Sequence, residues 1–199
     1  MKLATVNRGR AVAVRARPGG PVVARVGSRT EFGSERVMPV AARRGRFIGV
    51  ITTARPDGRL GWIDGRSRAV RASRTLWSLR ADVSGRRLEV RHGRRLVARM
   101  TVAVGREGSP TPTGRFAVTD KLDATSYGGT YGCCIIAFSG RQPLLPPGWP
   151  GGDRIAVHGT TAEGSVGSAA STGCLRARDR DLKPLMRRLP LGTPVTIRA

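Results

Sequence analysis

The chain has 199 residues, 39% of them hydrophobic and 5% aromatic, and its formal net charge is +23. This length and apolar content allow one ordinary domain, or a small domain beside a medium one. No apolar run approaches the roughly 18 residues of a membrane-spanning helix. Three cysteines leave one thiol unpaired, which excludes a disulfide framework.

The positive charge alone invites a nucleic-acid interpretation. The basic residues are nearly all arginines, however, and they are scattered from Arg8 to Arg198 without a dense block. We therefore expect a dispersed basic surface that attracts polyanions in general. An anionic cell-wall polymer and a nucleic acid both fit this surface.

Residues 10–71 alternate short valine-rich runs with glycine and proline turns, which is typical of β-strands. The run AVAVRARPGGPVVARV predicts two strands around Pro18, Gly19 and Gly20. The run RFIGVITTARPDGRLGWID predicts a second pair around a Pro-Asp-Gly turn at residues 56–58. We predict a small all-β barrel or meander over residues 10–71, followed by a short basic linker over residues 66–75.

This segment resembles bacterial SH3-like domains in its motifs. The matching residues are Phe32-Gly33-Ser34, Met38-Pro39-Val40, Phe47-Ile48-Gly49-Val50 and Gly61-Trp62-Ile63. The resemblance implies an SH3-like module. In that family such modules either bind the cell wall or act as spacers, and both alternatives stay open here.

A second set of strands is predicted within residues 75–198. The run RRLEVRHGRRLVARMTVAVG indicates a hairpin around His92 and Gly93, so His92 is expected to be a solvated turn residue. The run TPVTIRA predicts a closing strand. Before it, four apolar residues at helical spacing predict one short amphipathic helix, with Asp179 or Asp181 as its N-cap; they are Leu182, Leu185, Met186 and Leu189.

The candidate site lies in VHGTTAEGSVGSAASTGCLRARD, residues 157–179. Cys174 is the candidate nucleophile, and Arg176 would lie on the same face of an extended segment and lower the thiol pKa. His158 ends the apolar run RIAVH, and an imidazole beside a thiol can accept its proton and pass it to a leaving amine. Spacing alone leaves their partnership open. A zinc site is not expected, because CxxC spacing and further histidines are missing.

Cys133 and Cys134 begin the apolar run of residues 135–138, so we expect at least one of them to pack in a core. As neighbours in the chain, they would bridge each other only with strain.

The candidate site resembles the active-site signature of the YkuD family of L,D-transpeptidases. That signature is His-Gly, a loop, Ser-His-Gly-Cys, an aliphatic residue and Arg; it is matched here by His158, Gly159, Ser171, Gly173, Cys174, Leu175 and Arg176. The turn GREGSPTPTGRF at residues 105–116 matches a second family element, and the resemblance extends over residues 76–197. Thr172 departs from the signature, because most members have a second histidine there.

The resemblance implies a β-sandwich L,D-transpeptidase-type domain over residues 75–198, acting by acyl transfer without a cofactor. Cys174 would attack the carbonyl of the diamino acid in a peptidoglycan tetrapeptide stem, D-alanine would leave, and an amine of a second stem would resolve the thioester. His158 would move the protons, with its ring oriented by Gly159. Backbone N–H groups of Thr172, Gly173 and Cys174 would form the oxyanion hole.

Some roles and partners stay open. Ser171 and Arg176 are expected to support the site or contact substrate, and an ion pair of Arg176 with Asp179 or Asp181 is equally open. Water as acceptor would make the protein an L,D-carboxypeptidase. A basic wall- or nucleic-acid-binding protein with a degenerate catalytic domain is an alternative of another class, although we do not expect a nucleic-acid partner.

The implied substrate places the protein outside the cytoplasm, at the cell wall. The first residues, MKLATVNRGRAVAVRARPGG, lack the apolar core of a signal peptide. We therefore expect the natural protein to extend further at its N-terminus.

Overall fold

The structure is a computed structural model that describes residues 1–199. Seven strands form its first half: β1 (Lys2–Val6), β2 (Ala11–Arg15), β3 (Val22–Gly27), β4 (Val37–Arg44), β5 (Phe47–Val50), β6 (Gly61–Asp64) and β7 (Val70–Arg74). The second half contains β8 (Trp77–Asp82), β9 (Arg87–His92), β10 (Arg95–Thr101), β11 (Val104–Gly105), β12 (Gly114–Asp123), β13 (Cys134–Arg141), β14 (Arg154–His158), β15 (Ala169–Ser171), β16 (Leu175–Arg176), α1 (Asp179–Arg188) and β17 (Pro194–Arg198). The fold is therefore mainly β, as predicted. No helix in it is long and apolar enough to cross a membrane.

The N-terminal sheet has the strand order β3-β2-β6-β5-β4-β1-β7. Both predicted strand pairs are present and antiparallel, β2 with β3 and β5 with β6. Alternate residues of these strands point inwards, so that Val14, Val50 and Ile63 are fully buried. This alternation is why the local sequence predicts them as strands.

One expectation about this half was wrong. The basic stretch around residues 66–75 is not a linker, because β7 pairs along its length with β1 in antiparallel register. The N-terminal sheet consequently extends from Lys2 to Arg74, beyond the predicted range 10–71. Most side chains of β7 are exposed, because β7 is an edge strand. Its sequence therefore lacks the apolar alternation by which a strand is recognised.

The second sheet has the order β10-β9-β8-β17-β12-β13-β14-β16. The predicted hairpin is β9–β10, and the predicted closing strand is β17, which lies between β8 and β12. Exposed His92 ends β9, with its ring centroid 5.0 Å from that of Trp77. The core of this half contains fully buried Phe116, Phe138 and Ile136.

The predicted helix is α1, and it places Leu182 and Leu185 in this core, which Leu189 joins directly after the helix. The predicted N-cap was wrong: α1 begins at Asp179, and the capping position belongs to Arg178, which makes no side-chain cap bond. Asp179 and Asp181 instead lie in the first turn, where negative charge complements the helix dipole.

The loop between β3 and β4 docks the N-terminal sheet onto the second sheet. The Thr30 hydroxyl donates a hydrogen bond to the carboxylate of fully buried Asp120, and Glu31 forms an ion pair with Arg154. Farther along, the backbone N–H of Arg141 donates to a carboxylate oxygen of Asp57 over 2.9 Å. The two halves therefore meet along β12, β13 and β14.

Candidate active site

His158 and Cys174 are brought together by two neighbouring strands. The apolar run of β14 is buried, and His158 is its last residue, 5% exposed. β16 pairs with β14 in parallel register, Val157 opposite Leu175 and His158 opposite Arg176. Cys174 immediately precedes β16 and therefore lies beside Ala156. His158 and Cys174 line the same cavity.

The ring of His158 is held by its neighbour in the chain. Nδ1 lies 2.6 Å from the carbonyl oxygen of Gly159, the residue expected to orient it. A carbonyl only accepts, so Nδ1 carries the proton and Nε2 of the neutral ring has a free lone pair. The Tyr131 ring packs edge-on against the imidazole, with centroids 4.8 Å apart.

Burial lowers the pKa of His158 from 6.5 to about 4. The hydrogen bond with Gly159 opposes this change, and the positive charge of Arg176 adds to it. The imidazole is therefore neutral at pH 7, as a proton acceptor must be.

Cys174 is half-buried and is not in a disulfide. Its Sγ lies 3.8 Å from the carbonyl oxygen of Arg154. Burial raises the pKa of the thiol, while the backbone hydrogen bond with Ala156 and the charge of Arg176 lower it. The expected influence of Arg176 is present, but the effect of burial is larger. At rest the cavity thus contains an uncharged thiol and an uncharged imidazole.

Ser171 shapes the loop that carries Cys174. Its hydroxyl donates to the carbonyl oxygen of Cys174 over 2.5 Å and accepts from the backbone N–H of Gly173 over 3.1 Å. The amide of Gly173, one of the three expected oxyanion donors, is therefore engaged by Ser171. The backbone N–H groups of Thr172 and Cys174 remain as candidates.

Arg176 lines the cavity and forms no ion pair with Asp179, Asp181 or any other carboxylate of the chain. That alternative was wrong: the side chain of Asp179 packs against Gly132 and Gly159 instead. The neighbouring Arg178 has a carboxylate partner instead, Glu163 at 3.7 Å. The charge of Arg176 is consequently free to act on the cavity.

Gln142 was missed at the sequence level. Its Nε2 donates to the carbonyl oxygen of Pro110 over 2.8 Å and to that of Thr172 over 3.3 Å. It thereby ties the Pro-Thr-Pro-Thr-Gly turn to the cysteine loop. A single glutamine in a loop carries no pattern, so no signal in the sequence marks it. Thr172 itself lines the cavity.

The cavity has a volume of about 380 Å³ and is mostly apolar in its lining. Four aromatic residues contribute to it: Phe32, Tyr127, Tyr131 and Trp149. Cys133 and Cys134 do not line it. They are joined by a disulfide, and Cys134 is buried in the core, as expected for at least one of them.

A mainly β domain with this cysteine and histidine in one cleft matches a known class. The family model described as the YkuD L,D-transpeptidase catalytic domain matches residues 78–197. The chain belongs to this family.

Relatives and solved structures agree with this assignment. The putative L,D-transpeptidase YkuD of Bacillus licheniformis is 29% identical over 121 residues, which are 61% of this chain and 65% of that protein. The putative L,D-transpeptidase YqjB of Bacillus subtilis is 35% identical over 106 residues, 49% of this chain and 57% of that protein. The chain thus spans less than two thirds of these relatives.

In fold, the chain is similar to L,D-transpeptidase 3 from Mycobacterium tuberculosis, solved with a faropenem-derived adduct. The TM-score is 0.52 at 16% identity, covering 70% of this chain and 73% of that one. An L,D-transpeptidase from Mycobacterium smegmatis gives a TM-score of 0.50 at 18% identity, covering 81% and 82%. At these low sequence identities, the similarity shows a shared fold.

Proposed function

We propose that the chain is a cysteine-dependent acyltransferase that links the diamino acids of peptidoglycan stem peptides. One observation carries the proposal: in a member of the YkuD family, Cys174 and a neutral His158 with a free Nε2 line one cleft. A thiol and a proton acceptor in such an arrangement support covalent catalysis through a thioester.

In the first half-reaction, the Sγ of Cys174 attacks the carbonyl carbon of the diamino acid while Nε2 of His158 takes the thiol proton. The carbonyl oxygen becomes an oxyanion, which the backbone N–H groups of Thr172 and Cys174 would stabilise, each donor by about 2.7–4 kcal/mol. The C–N bond to D-alanine then breaks, and Nε2 returns the proton to the leaving amine. A thioester on Cys174 remains.

In the second half-reaction, the side-chain amine of another stem attacks the thioester carbonyl. His158 takes the proton from that amine, the C–S bond breaks, and the proton returns to the thiolate of Cys174. The products are a cross-link between two diamino acids and the free enzyme. No step needs a metal or an external cofactor.

The thiolate of Cys174 and the imidazolium of His158 form only when substrate is bound and reacting. Burial keeps both partners uncharged at rest, since it raises the pKa of Cys174 and lowers that of His158. The charge of Arg176 favours the thiolate and disfavours the imidazolium. We assign Arg176 the role of supporting the thiolate as it forms.

The deciding experiment is incubation of the chain with defined disaccharide-tetrapeptide, followed by mass analysis of the products. We expect a cross-linked dimer that has lost one D-alanine, and no product from the Cys174→Ala variant. Tripeptide without dimer would identify an L,D-carboxypeptidase that uses water as acceptor. No product from the folded wild-type chain, together with tight, salt-dependent nucleic-acid binding, would favour the basic binding protein with a degenerate site.

We further propose that the N-terminal sheet is an SH3-like module. Its arginines and those of the second half give the chain its net charge of +23. This charge suits an anionic wall polymer as an additional partner, at an extracytoplasmic location where the peptidoglycan substrate lies.

A further inference from the structure

The active-site cleft is built by both halves of the chain. Phe32 belongs to the loop between β3 and β4 of the N-terminal sheet, yet it lines the cavity that contains Cys174. It is 37% exposed, unusually open for a phenylalanine, and no core cluster includes it. A large apolar side chain at the rim of a cleft is typical of a ligand contact.

The loop that carries Phe32 is anchored on the second sheet by the two residues that precede Phe32. Thr30 bonds to fully buried Asp120, and the neighbouring Glu31 pairs with Arg154, whose side chain is 8% exposed. Arg154 also donates to the Thr119 hydroxyl over 2.8 Å. Phe32 is therefore presented by an anchored loop.

These contacts place Phe32 at one end of the cleft. Arg154 begins β14 and His158 ends it, about 13 Å away at strand spacing. Cys174 lies between them, beside Ala156. Since Glu31 pairs with Arg154, the adjacent Phe32 lies at the end opposite His158.

Trp149 lies at the same end. Its Nε1 donates to the carbonyl oxygen of Gly152, two residues before β14, and its ring is 39% exposed and lines the cavity. Arg154, which also lines the cavity here, is paired with Glu31. This end of the cleft thus offers aromatic surface beside an arginine that already has a carboxylate partner.

The direction of proton delivery decides what this end binds. His158 returns a proton to the leaving D-alanine, so the leaving residue lies at the His158 end. The part of the donor on the other side of the attacked carbonyl then extends towards Arg154. We propose that Phe32 and Trp149 bind the N-terminal portion of the acyl-donor stem with its attached sugar through apolar contacts, which makes Phe32 a specificity residue supplied by the N-terminal sheet. The proposal rests on the proposed function.

The test is the kcat/KM for D-alanine release by the full chain carrying Phe32→Ala. We expect about a tenfold loss with disaccharide-tetrapeptide, mostly in KM, as for other apolar contacts in binding pockets. The loss should shrink with a donor shortened at its N-terminus. It should not change when glycine replaces the leaving D-alanine.

The control is Val23→Ala, which removes an exposed side chain of the same sheet outside the cleft. It should match the wild type on every donor. A Phe32→Ala variant as active as the wild type would overturn the proposal, and so would a loss that depends on the leaving residue. A wild-type chain that turns over no donor would overturn the proposed function itself, and this proposal with it.

Discussion

Nδ1 of His158 lies 2.6 Å from the carbonyl oxygen of Gly159, the residue that follows it. This contact determines which ring nitrogen carries the proton, because the carbonyl can only accept. Nε2 is thereby left as the acceptor that a thiol needs. Burial also keeps the ring neutral at pH 7, since it lowers the pKa of His158 to about 4.

The lowered pKa of His158 makes the stability of the protein depend on pH. The pKa is about 4 in the folded chain and 6.5 for a solvated imidazole, so between these values the unfolded chain binds more protons. The stability associated with neutral His158 is present above pH 6.5 and is lost as the pH falls towards 4. At about 1.4 kcal/mol per pH unit, the loss is roughly 3 kcal/mol.

Other groups also titrate in this range, so the measurement compares the wild type with His158→Asn. The asparagine amide can keep the hydrogen bond to Gly159 but cannot titrate. Between pH 7 and pH 4, urea unfolding should show that the wild type loses more free energy of unfolding than the variant. The difference should be up to roughly 3 kcal/mol. Equal losses in the two proteins would contradict the lowered pKa.

Removal of the Arg176 charge should slow the reaction of the thiol. Arg176 lowers the pKa of Cys174, so Arg176→Gln should raise it. We expect alkylation by iodoacetamide at neutral pH to be slower, with its pH profile moved to higher pH. Arg176→Lys keeps the charge and should stay near the wild type; if both variants behave alike, the effect is not electrostatic.

Gly173 should not tolerate a side chain. Its φ is +112°, and a Cβ there would overlap the side-chain amide of Gln142. Gly173→Ala should therefore displace the loop that carries Cys174 and reduce thioester formation by about 10²-fold. Gly164→Ala is the matched control, since that site is open and its φ is not positive. Normal activity of the Gly173 variant would show that the loop geometry is not needed.

The local sequence predicted the hairpins around residues 18–20 and 92–93 because alternation and turn residues are short-range signals. It missed β7 as a strand, since the exposed side chains of β7 show no alternation and its partner β1 lies about 70 residues away in the chain. In the site, the pairing of His158 with Cys174 was predicted from the family resemblance, because spacing alone left it open. The bridge by Gln142 and the engaged amide of Gly173 depend on loop geometry, which no local pattern encodes.

The contact between Thr30 and Asp120 should stabilise the docking of the two halves. Thr30→Val keeps the shape of the side chain but leaves the buried Asp120 carboxylate without its donor, at a cost of about 1–3 kcal/mol. Urea unfolding measures the change, and Thr30→Ser, which retains the hydroxyl, should lose much less. A valine variant as stable as the serine variant would mean that this hydrogen bond does not hold the interface.

We expect Cys174 to carry an acyl group during turnover. Intact-mass measurement of the chain mixed with disaccharide-tetrapeptide, quenched in acid and followed by peptide mapping, tests it most directly. The expected result is an added mass equal to the donor minus D-alanine, located on Cys174 and absent from Cys174→Ala. Product formation by the wild type without such an adduct, or by the alanine variant, would contradict it.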